Sequence, residues 1–111
     1  MDKAMPVLEK EKVMRDIAKY LMKNPKTDTN AMRYVIYNEL REEGIIGRVT
    51  DRKYGGTSAY DKIVSDEDAL LINECIYDLL YSRVITPGVN AHELSLPFIH
   101  VSDVEKLKEY L

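Results

Sequence analysis

Histidine and cysteine, the residue types that most often serve as metal ligands and nucleophiles, are scarce in this 111-residue chain. The two histidines are His92 and His100, and the single cysteine is Cys75. The pair His92-Glu93 lacks the second histidine that a zinc-binding HExxH helix requires, and one cysteine with two separated histidines does not complete a zinc ligand set. We therefore expect neither a metal nor a cofactor.

The sequence also lacks the patterns that are typical of enzymes. Its serines have no glycine-flanked nucleophile elbow around them, and Gly55-Gly56 has the spacing of neither common phosphate-binding loop. The carboxylates are dispersed along predicted helices, so no general acid-base pair can be inferred. Cys75 lies among apolar residues and is expected in the core. We therefore expect a non-catalytic protein.

Length and composition indicate one globular domain over residues 1–111 with a modest hydrophobic core. Hydrophobic residues make up 45% of the chain and charged residues 32%, which argues against disorder. No apolar run is long enough to span a bilayer, and the start of the chain has no signal-peptide pattern. Because a single cysteine excludes an internal disulfide, we expect a cytoplasmic protein without membrane association.

The net charge of −3 is unevenly distributed along the chain. Residues 1–26 carry seven basic and four acidic side chains, and residues 48–62 carry four basic and two acidic ones. Residues 63–111 carry three basic and nine acidic side chains. This balance argues against strong phosphate binding by the second half and leaves a local basic surface nearer the front.

The clearest element is a helix predicted over residues 66–82. Ser65 is a suitable N-cap, and Asp68 three residues later completes a Ser-x-x-acid capping-box pattern. Apolar residues then recur at three- and four-residue spacing, while several polar and aromatic residues share the other face. The apolar set is Ala69, Ile72, Ile76, Leu79 and Leu80.

Two short strands are predicted after this helix, near residues 84–86 and 98–101. Both runs are rich in β-branched or aromatic residues, and Pro87-Gly88 is a turn signal between them. A last helix is predicted over residues 103–111, with Ser102 as its cap.

Three more helices are predicted in the first half of the chain. Their ranges are 6–23, with Pro6 at the first position, 31–43, which ends before Gly44, and a short helix at 59–64. The intervening residues 47–60 are predicted to form an irregular basic loop.

The segment VSDEDALLINECIYDLLYSRVITPG, followed by the run at 98–101, resembles the recognition helix and wing of a winged helix-turn-helix domain. The resemblance covers about residues 30–101, with 31–43 as the first helix of the unit and 59–64 as the second. It implies a mainly α fold with a small β-hairpin. The helices at 6–23 and 103–111 would then be additions at the two ends.

One hypothesis that follows is binding to double-stranded DNA, as in transcription regulators, by an atypical route. The family's mechanism places the last helix in the major groove, but this helix opens with three acidic residues and the wing tip has no lysine or arginine. The DNA contacts would instead come from four basic residues between positions 48 and 62 and from two polar residues of the wing tip. The candidate nucleic-acid residues are Arg48, Arg52, Lys53, Lys62, Asn90 and His92.

The other hypothesis is a protein-interaction module that binds itself or another protein without nucleic acid. Tyrosine is favoured in protein interfaces, and self-association most often produces a two-fold dimer. The candidate interaction residues, all on the polar face of the 66–82 helix, are Glu74, Tyr77, Asp78 and Tyr81. From the sequence alone we rank DNA binding first, because it is the usual role of the class, and keep the interaction module as the alternative, which the charge pattern favours.

Overall fold

The computed structural model describes residues 2–53 and 56–111, with the backbone alone for residues 49–53 and 56–60. The described residues form a mixed α and β fold of four helices and six strands. The helices are α1 (Lys10–Lys23), α2 (Thr29–Glu42), α3 (Asp66–Tyr81) and α4 (Val104–Lys108). The strands are β1 (Asp2–Lys3), β2 (Lys26–Asp28), β3 (Gly47–Lys53), β4 (Gly56–Ile63), β5 (Ile85–Pro87) and β6 (Phe98–Val101).

The described strands form two separate three-stranded sheets. In the first, β4 pairs antiparallel with β3 and parallel with β1. In the second, β6 lies between β2 and β5 and is antiparallel to both, with Thr27 opposite Ile99 and Thr86 opposite His100. Because β2 lies between α1 and α2 in the chain, this second sheet ties the start of the fold to its end.

The hydrophobic core lies between the three long helices and the second sheet. Each of these helices has apolar residues at three- and four-residue spacing, so each buries one stripe and exposes the other. α1, α2 and α3 contact one another in all three pairings. The most deeply buried large side chains are Val13, Ile17, Leu21, Met32, Ile36, Leu40, Ile72, Ile76, Leu79, Ile85, Ile99 and Leu107.

The N-terminus of α3 is held by a buried carboxylate. Ser65 caps the helix, since its Oγ accepts a hydrogen bond from the backbone N–H of Asp68 at 3.1 Å. The Asp68 carboxylate accepts hydrogen bonds from the N–H groups of Val7 (3.0 Å) and Leu8 (3.2 Å). Ser65 therefore caps the helix as the capping-box pattern predicts. The Asp68 side chain, however, binds the N-terminal segment instead of the N–H of Ser65.

α1 begins at Lys10, after Glu9 in an extended conformation with φ −112° and ψ 135°, so the predicted start at residue 6 is wrong. The segment before the helix is instead held against α3 by the Asp68 carboxylate, which accepts from the N–H groups of residues 7 and 8. β1 adds to this attachment through its pairing with β4 and through an ion pair of 2.8 Å between Lys3 and Asp66.

The predicted helix at 59–64 and the predicted irregular loop at 47–60 are wrong. Residues 47–53 and 56–63 are the two strands of the β3–β4 hairpin, in register from Gly47 opposite Lys62 to Lys53 opposite Gly56. The run from 59 to 64 is too short to bury a helical stripe, whereas strand pairing satisfies its backbone. Gly55-Gly56 was the available hairpin signal; Tyr54 and Gly55 themselves lie outside the described residues.

The remaining predicted elements need smaller changes. α3 and β6 have the predicted positions, and β5 lies one residue later than predicted. Gly44 follows α2 with φ +76°, as its assignment to the helix C-terminus requires. α4 is shorter than the predicted 103–111, and its cap is Asp103, whose carboxylate accepts from the N–H of Lys106, instead of Ser102. β1 and β2 were not predicted.

We call β5, β6 and the loop 88–97 between them the wing. A tight turn closes this loop. The N–H of Val89 donates to the carbonyl of Glu93, and the Asn90 side chain accepts from two backbone N–H groups within the loop. Gly88 has φ +108°, and a Cβ there would lie 3.1 Å from the Cα of Leu94. Both features would strain any larger residue at this position.

We expect Gly88→Ala to destabilise the fold more than Gly44→Ala. Both glycines have positive φ, which costs a side-chain-bearing residue about 1–2 kcal/mol. A Cβ at Gly44 meets nothing within 4 Å, whereas at Gly88 it meets backbone. Urea unfolding should show the Gly88 variant at least about 1 kcal/mol less stable than the Gly44 variant. Equal losses would contradict the close approach of the two wing segments.

Candidate interaction surface

The outward stripe of α3 carries unusually large apolar side chains. The inward stripe, centred on Ile72 and Ile76, is fully buried. The opposite positions fall at spacings of four, three and four residues, so they form one line along the helix. Leu70 is 64% exposed and Tyr81 is 80% exposed, although both would be stabilised by removal from water. The stripe consists of Leu70, Glu74, Tyr77 and Tyr81.

Tyr77 and Tyr81 contact each other on this stripe. Their ring centroids are 5.9 Å apart and the ring planes are inclined by 47°. Because the two residues are one helical turn apart, the contact orients both rings on the outside of the helix. A pair of rings with fixed positions loses little conformational entropy when a partner covers it.

A groove of about 390 Å³ adjoins the tyrosines, between the C-terminal end of α3 and the wing. Its walls are mainly apolar, which is typical of a surface that binds another molecule. Pro87 and Leu96 come from the wing, and Leu96 is 42% exposed. The groove is lined by Tyr77, Leu80, Tyr81, Arg83, Pro87 and Leu96, together with two residues of β5. We call Leu70, Glu74, Tyr77, Tyr81, Arg83 and Leu96 the α3–wing surface.

The end of α3 is fixed by hydrogen bonds that position Arg83. This residue has φ +62°, in the left-handed region, and its carbonyl accepts from the Ser102 hydroxyl at 2.8 Å. The N–H of Val84 donates to the carbonyl of Leu79, which ends the helix and starts the path into β5. Arg83 therefore lies at one end of the tyrosine pair, with Glu74 at the other.

The electrostatics of α3 are strongly acidic. Five of its residues are Asp or Glu and none is Lys or Arg. Some of this charge is compensated within the chain, since Asp78 forms an ion pair of 2.7 Å with Lys10 of α1. The hydrogen bond that the Lys10 ammonium donates to the Asp78 carboxylate raises the pKa of Lys10. Of the four candidate interaction residues, three lie on the outward stripe and Asp78 lies beside it, facing α1.

The described candidate nucleic-acid residues are distributed between the two sheets. Arg48 and Lys62 are at the base of the β3–β4 hairpin, where Arg48 faces Asp61 at 3.9 Å. Asn90 and His92 are in the wing loop, which belongs to the other sheet, and Asn90 Oδ1 accepts from the N–H of His92 at 2.9 Å. Asn90 therefore shapes the loop.

Two further members of that set, Arg52 and Lys53, are in β3, and their side chains lie outside the described part of the structure.

A pair of carboxylates between α1 and α2 has perturbed acidity. Lys12 Nζ lies 2.7 Å from Asp16 and 3.4 Å from Glu39. Burial and the neighbouring Asp16 raise the pKa of Glu39. Burial opposes ionisation of Asp16 as well, but hydrogen bonds from Lys12 and Glu39 outweigh it and leave the Asp16 pKa below its usual value. Burial, the ion pairs with Lys12 and the hydrogen bond between the two carboxyl groups explain both pKa shifts. We therefore interpret Asp16 and Glu39 as a structural pair.

Metal-ligand clusters and cysteine thiols are two other features that can carry chemistry. Among the described side chains, in residues 2–48 and 61–111, no group of three or more His, Cys, Asp or Glu is placed to hold a metal ion. The Cys75 thiol is fully buried, and burial raises its pKa to about 11, so it is a poor nucleophile at neutral pH.

Sequence reasoning missed three members of the α3–wing surface: Leu70, Arg83 and Leu96. Leu70 could have been found, because it precedes Glu74 by four residues and continues the stripe. Leu96 and Arg83 join the surface only through the folding of the wing over the end of α3. No local pattern indicates that contact.

The chain matches no protein-family model, no curated protein and no solved structure. None of the helices in the described residues is both long and apolar enough to cross a membrane.

We expect Glu39→Gln to stabilise the protein at pH 7. A carboxyl whose pKa is raised by folding contributes stability below its unfolded pKa and loses it as pH rises through the folded pKa. Glutamine carries no charge, so it avoids that loss while still donating to Asp16. The advantage over the unmodified chain should therefore shrink between pH 7 and pH 4 in urea unfolding.

Glu105→Gln is the matched control, since Glu105 is 85% exposed and should show little change at either pH. A Glu39→Gln variant that is less stable at pH 7 would contradict the assignment, because it would make the Lys12 ion pair the dominant interaction.

Proposed function

We propose that this chain is a winged-helix-like domain with the β3–β4 hairpin inserted between its second and third helices. In this assignment α1, α2 and α3 are the three helices and β5–β6 is the wing, with β2 as a third strand of the wing sheet. The support is the antiparallel order β2-β6-β5 and the direct succession of α3, β5 and β6. α1 thereby replaces the 31–43 helix as the first helix of the unit.

The function that we propose is protein-protein interaction through the α3–wing surface. The observation that carries it is the outward stripe of α3, where two tyrosines in contact and an exposed leucine lie beside an apolar groove. Aromatic residues near the centre of an interface contribute much of its binding energy. The remaining residues of the surface, Glu74 and Arg83, are charges of opposite sign that would select the partner and its orientation.

The same surface is unsuited to DNA. A helix that enters the major groove brings its outward side close to phosphates, and most of the affinity comes from lysine and arginine. α3 has five acidic residues and no basic one, and the wing loop 88–97 also lacks lysine and arginine. Insertion of α3 into a DNA groove would therefore be opposed by repulsion.

Nucleic-acid binding by the β3–β4 hairpin is the second candidate. Four basic residues fall within 47–63, and among the described elements these two strands pair only with each other and with β1 at their base. Two-stranded ribbons of this kind read nucleic acid in other proteins. The observation that favours this function is charge alone, so it ranks below the α3–wing surface.

A titration with fluorescently labelled duplex DNA at about 50 mM and 200 mM salt separates the two functions. At either salt concentration, we expect no binding with a dissociation constant below about 10⁻⁴ M, which is the weak end of non-specific DNA affinities. Binding tighter than about 10⁻⁶ M would overturn the proposal if it falls steeply with salt and is weakened by Arg48→Ala. Lys108→Ala is the matched control, because it removes one positive charge from α4, away from the hairpin.

A further inference from the structure

We propose that the α3–wing surface binds a second copy of this chain as an antiparallel, two-fold symmetric dimer. The inference rests on the proposed function and names its partner. In a two-fold interface the same surface occurs on both copies, so it must be complementary to itself. The order of residues along α3 meets this requirement.

The two-fold axis would pass between Tyr77 and Tyr81, close to the level of residue 79. Two antiparallel copies of α3 then place Tyr77 of one opposite Tyr81 of the other, and the reverse. The four rings form one cluster at the centre, which is where aromatic residues contribute most to binding. Tyr77 is 37% exposed and Tyr81 is 80% exposed, so the ring faces are available to a second molecule.

The charges on the two sides of this cluster complement each other in the same arrangement. Glu74 precedes Tyr77 by three residues, and Arg83 follows Tyr81 by two. With a rise of about 1.5 Å per residue, Glu74 lies about 7.5 Å from the axis, just past the end of α3 of the other copy, where Arg83 follows the last helical residue by two. Symmetry generates this contact twice. A parallel arrangement would instead bring Glu74 next to Glu74.

The apolar ends of the surface are used as well. Leu70 lies nine residues, about 13 Å, from the axis, so it extends beyond the C-terminal end of α3 of the other copy, on the side where that chain continues into its wing. Leu70 is 64% exposed, and Leu96, which is 42% exposed, lines the groove beside the end of α3 together with Pro87. One arrangement thus pairs the two charges, clusters the tyrosines and brings the exposed Leu70 to the wing side of the other copy.

The dimer can be tested by size-exclusion chromatography coupled to light scattering. Protein concentrations from about 10 μM to 1 mM detect dissociation constants in the micromolar to millimolar range. We expect the mass to rise from the chain's 12.8 kDa towards twice that value. Glu74→Arg or Arg83→Glu alone should raise the dissociation constant about tenfold or more, since each places like charges opposite each other twice.

The double variant Glu74→Arg with Arg83→Glu decides the geometry. It reverses both charges on the same chain, so an antiparallel two-fold dimer regains its two ion pairs and its affinity should return to within about threefold of the original. A double variant that is weaker than either single variant would overturn the arrangement.

Tyr81→Ala and Tyr34→Ala form a matched pair of exposed tyrosine truncations, on α3 and on α2. We expect the first to weaken the dimer about tenfold or more and the second to leave it unchanged, with circular dichroism showing intact helices in both. A chain that stays monomeric at about 1 mM, or a dimer insensitive to Tyr81→Ala, would overturn the inference. If the chain is monomeric and also fails to bind DNA, the dimer is wrong but the proposed protein-protein interaction is not contradicted, and the partner is a different protein.

Discussion

The burial of one side of α3 is the constraint on which the rest of the structure depends. Ile72, Ile76 and Leu79 are fully buried among α1, α2 and the second sheet, and each contributes about 1.5–3 kcal/mol through loss of apolar contact with water. Because a helix is rigid, fixing this side also fixes the opposite one. The stripe that faces outward therefore has a defined position relative to the wing, although few contacts of its own hold it there.

The two ends of α3 are fixed by different interactions. At the N-terminus, Ser65 caps the helix and the buried carboxylate of Asp68 binds the N–H groups of the N-terminal segment. This contact links α3 to the start of α1 and to β4 through β1. At the C-terminus, the path from Leu79 through Arg83 leads directly into β5. The groove beside the tyrosines exists because this second connection is short and the wing folds back against the helix.

The elements that are set by local patterns could be predicted from the sequence. The cap and apolar spacing of α3 and the β-prone run of β6 were sufficient, and the same spacing placed Glu74, Tyr77 and Tyr81 on the outward stripe, although Leu70 was missed. The β3–β4 hairpin was predicted wrongly because its strands are stabilised by each other and carry little apolar alternation. The start of α1 was predicted wrongly because the segment before Lys10 is held against α3 by Asp68, some sixty residues away, which no local pattern indicates. Arg83 and Leu96 joined the α3–wing surface through such long-range contacts too.

The most direct test of this account is a dilution series of nitrogen-15 amide spectra, since it locates the working surface without any substitution. We expect concentration-dependent shifts at Leu70, Glu74, Tyr77 and Tyr81 of α3 and at Leu96 of the wing, with the β3–β4 hairpin unchanged. Shifts that are confined to the hairpin, or spectra identical from about 50 μM to 1 mM, would contradict the dimer, because the outward stripe would then not be the surface through which this chain self-associates.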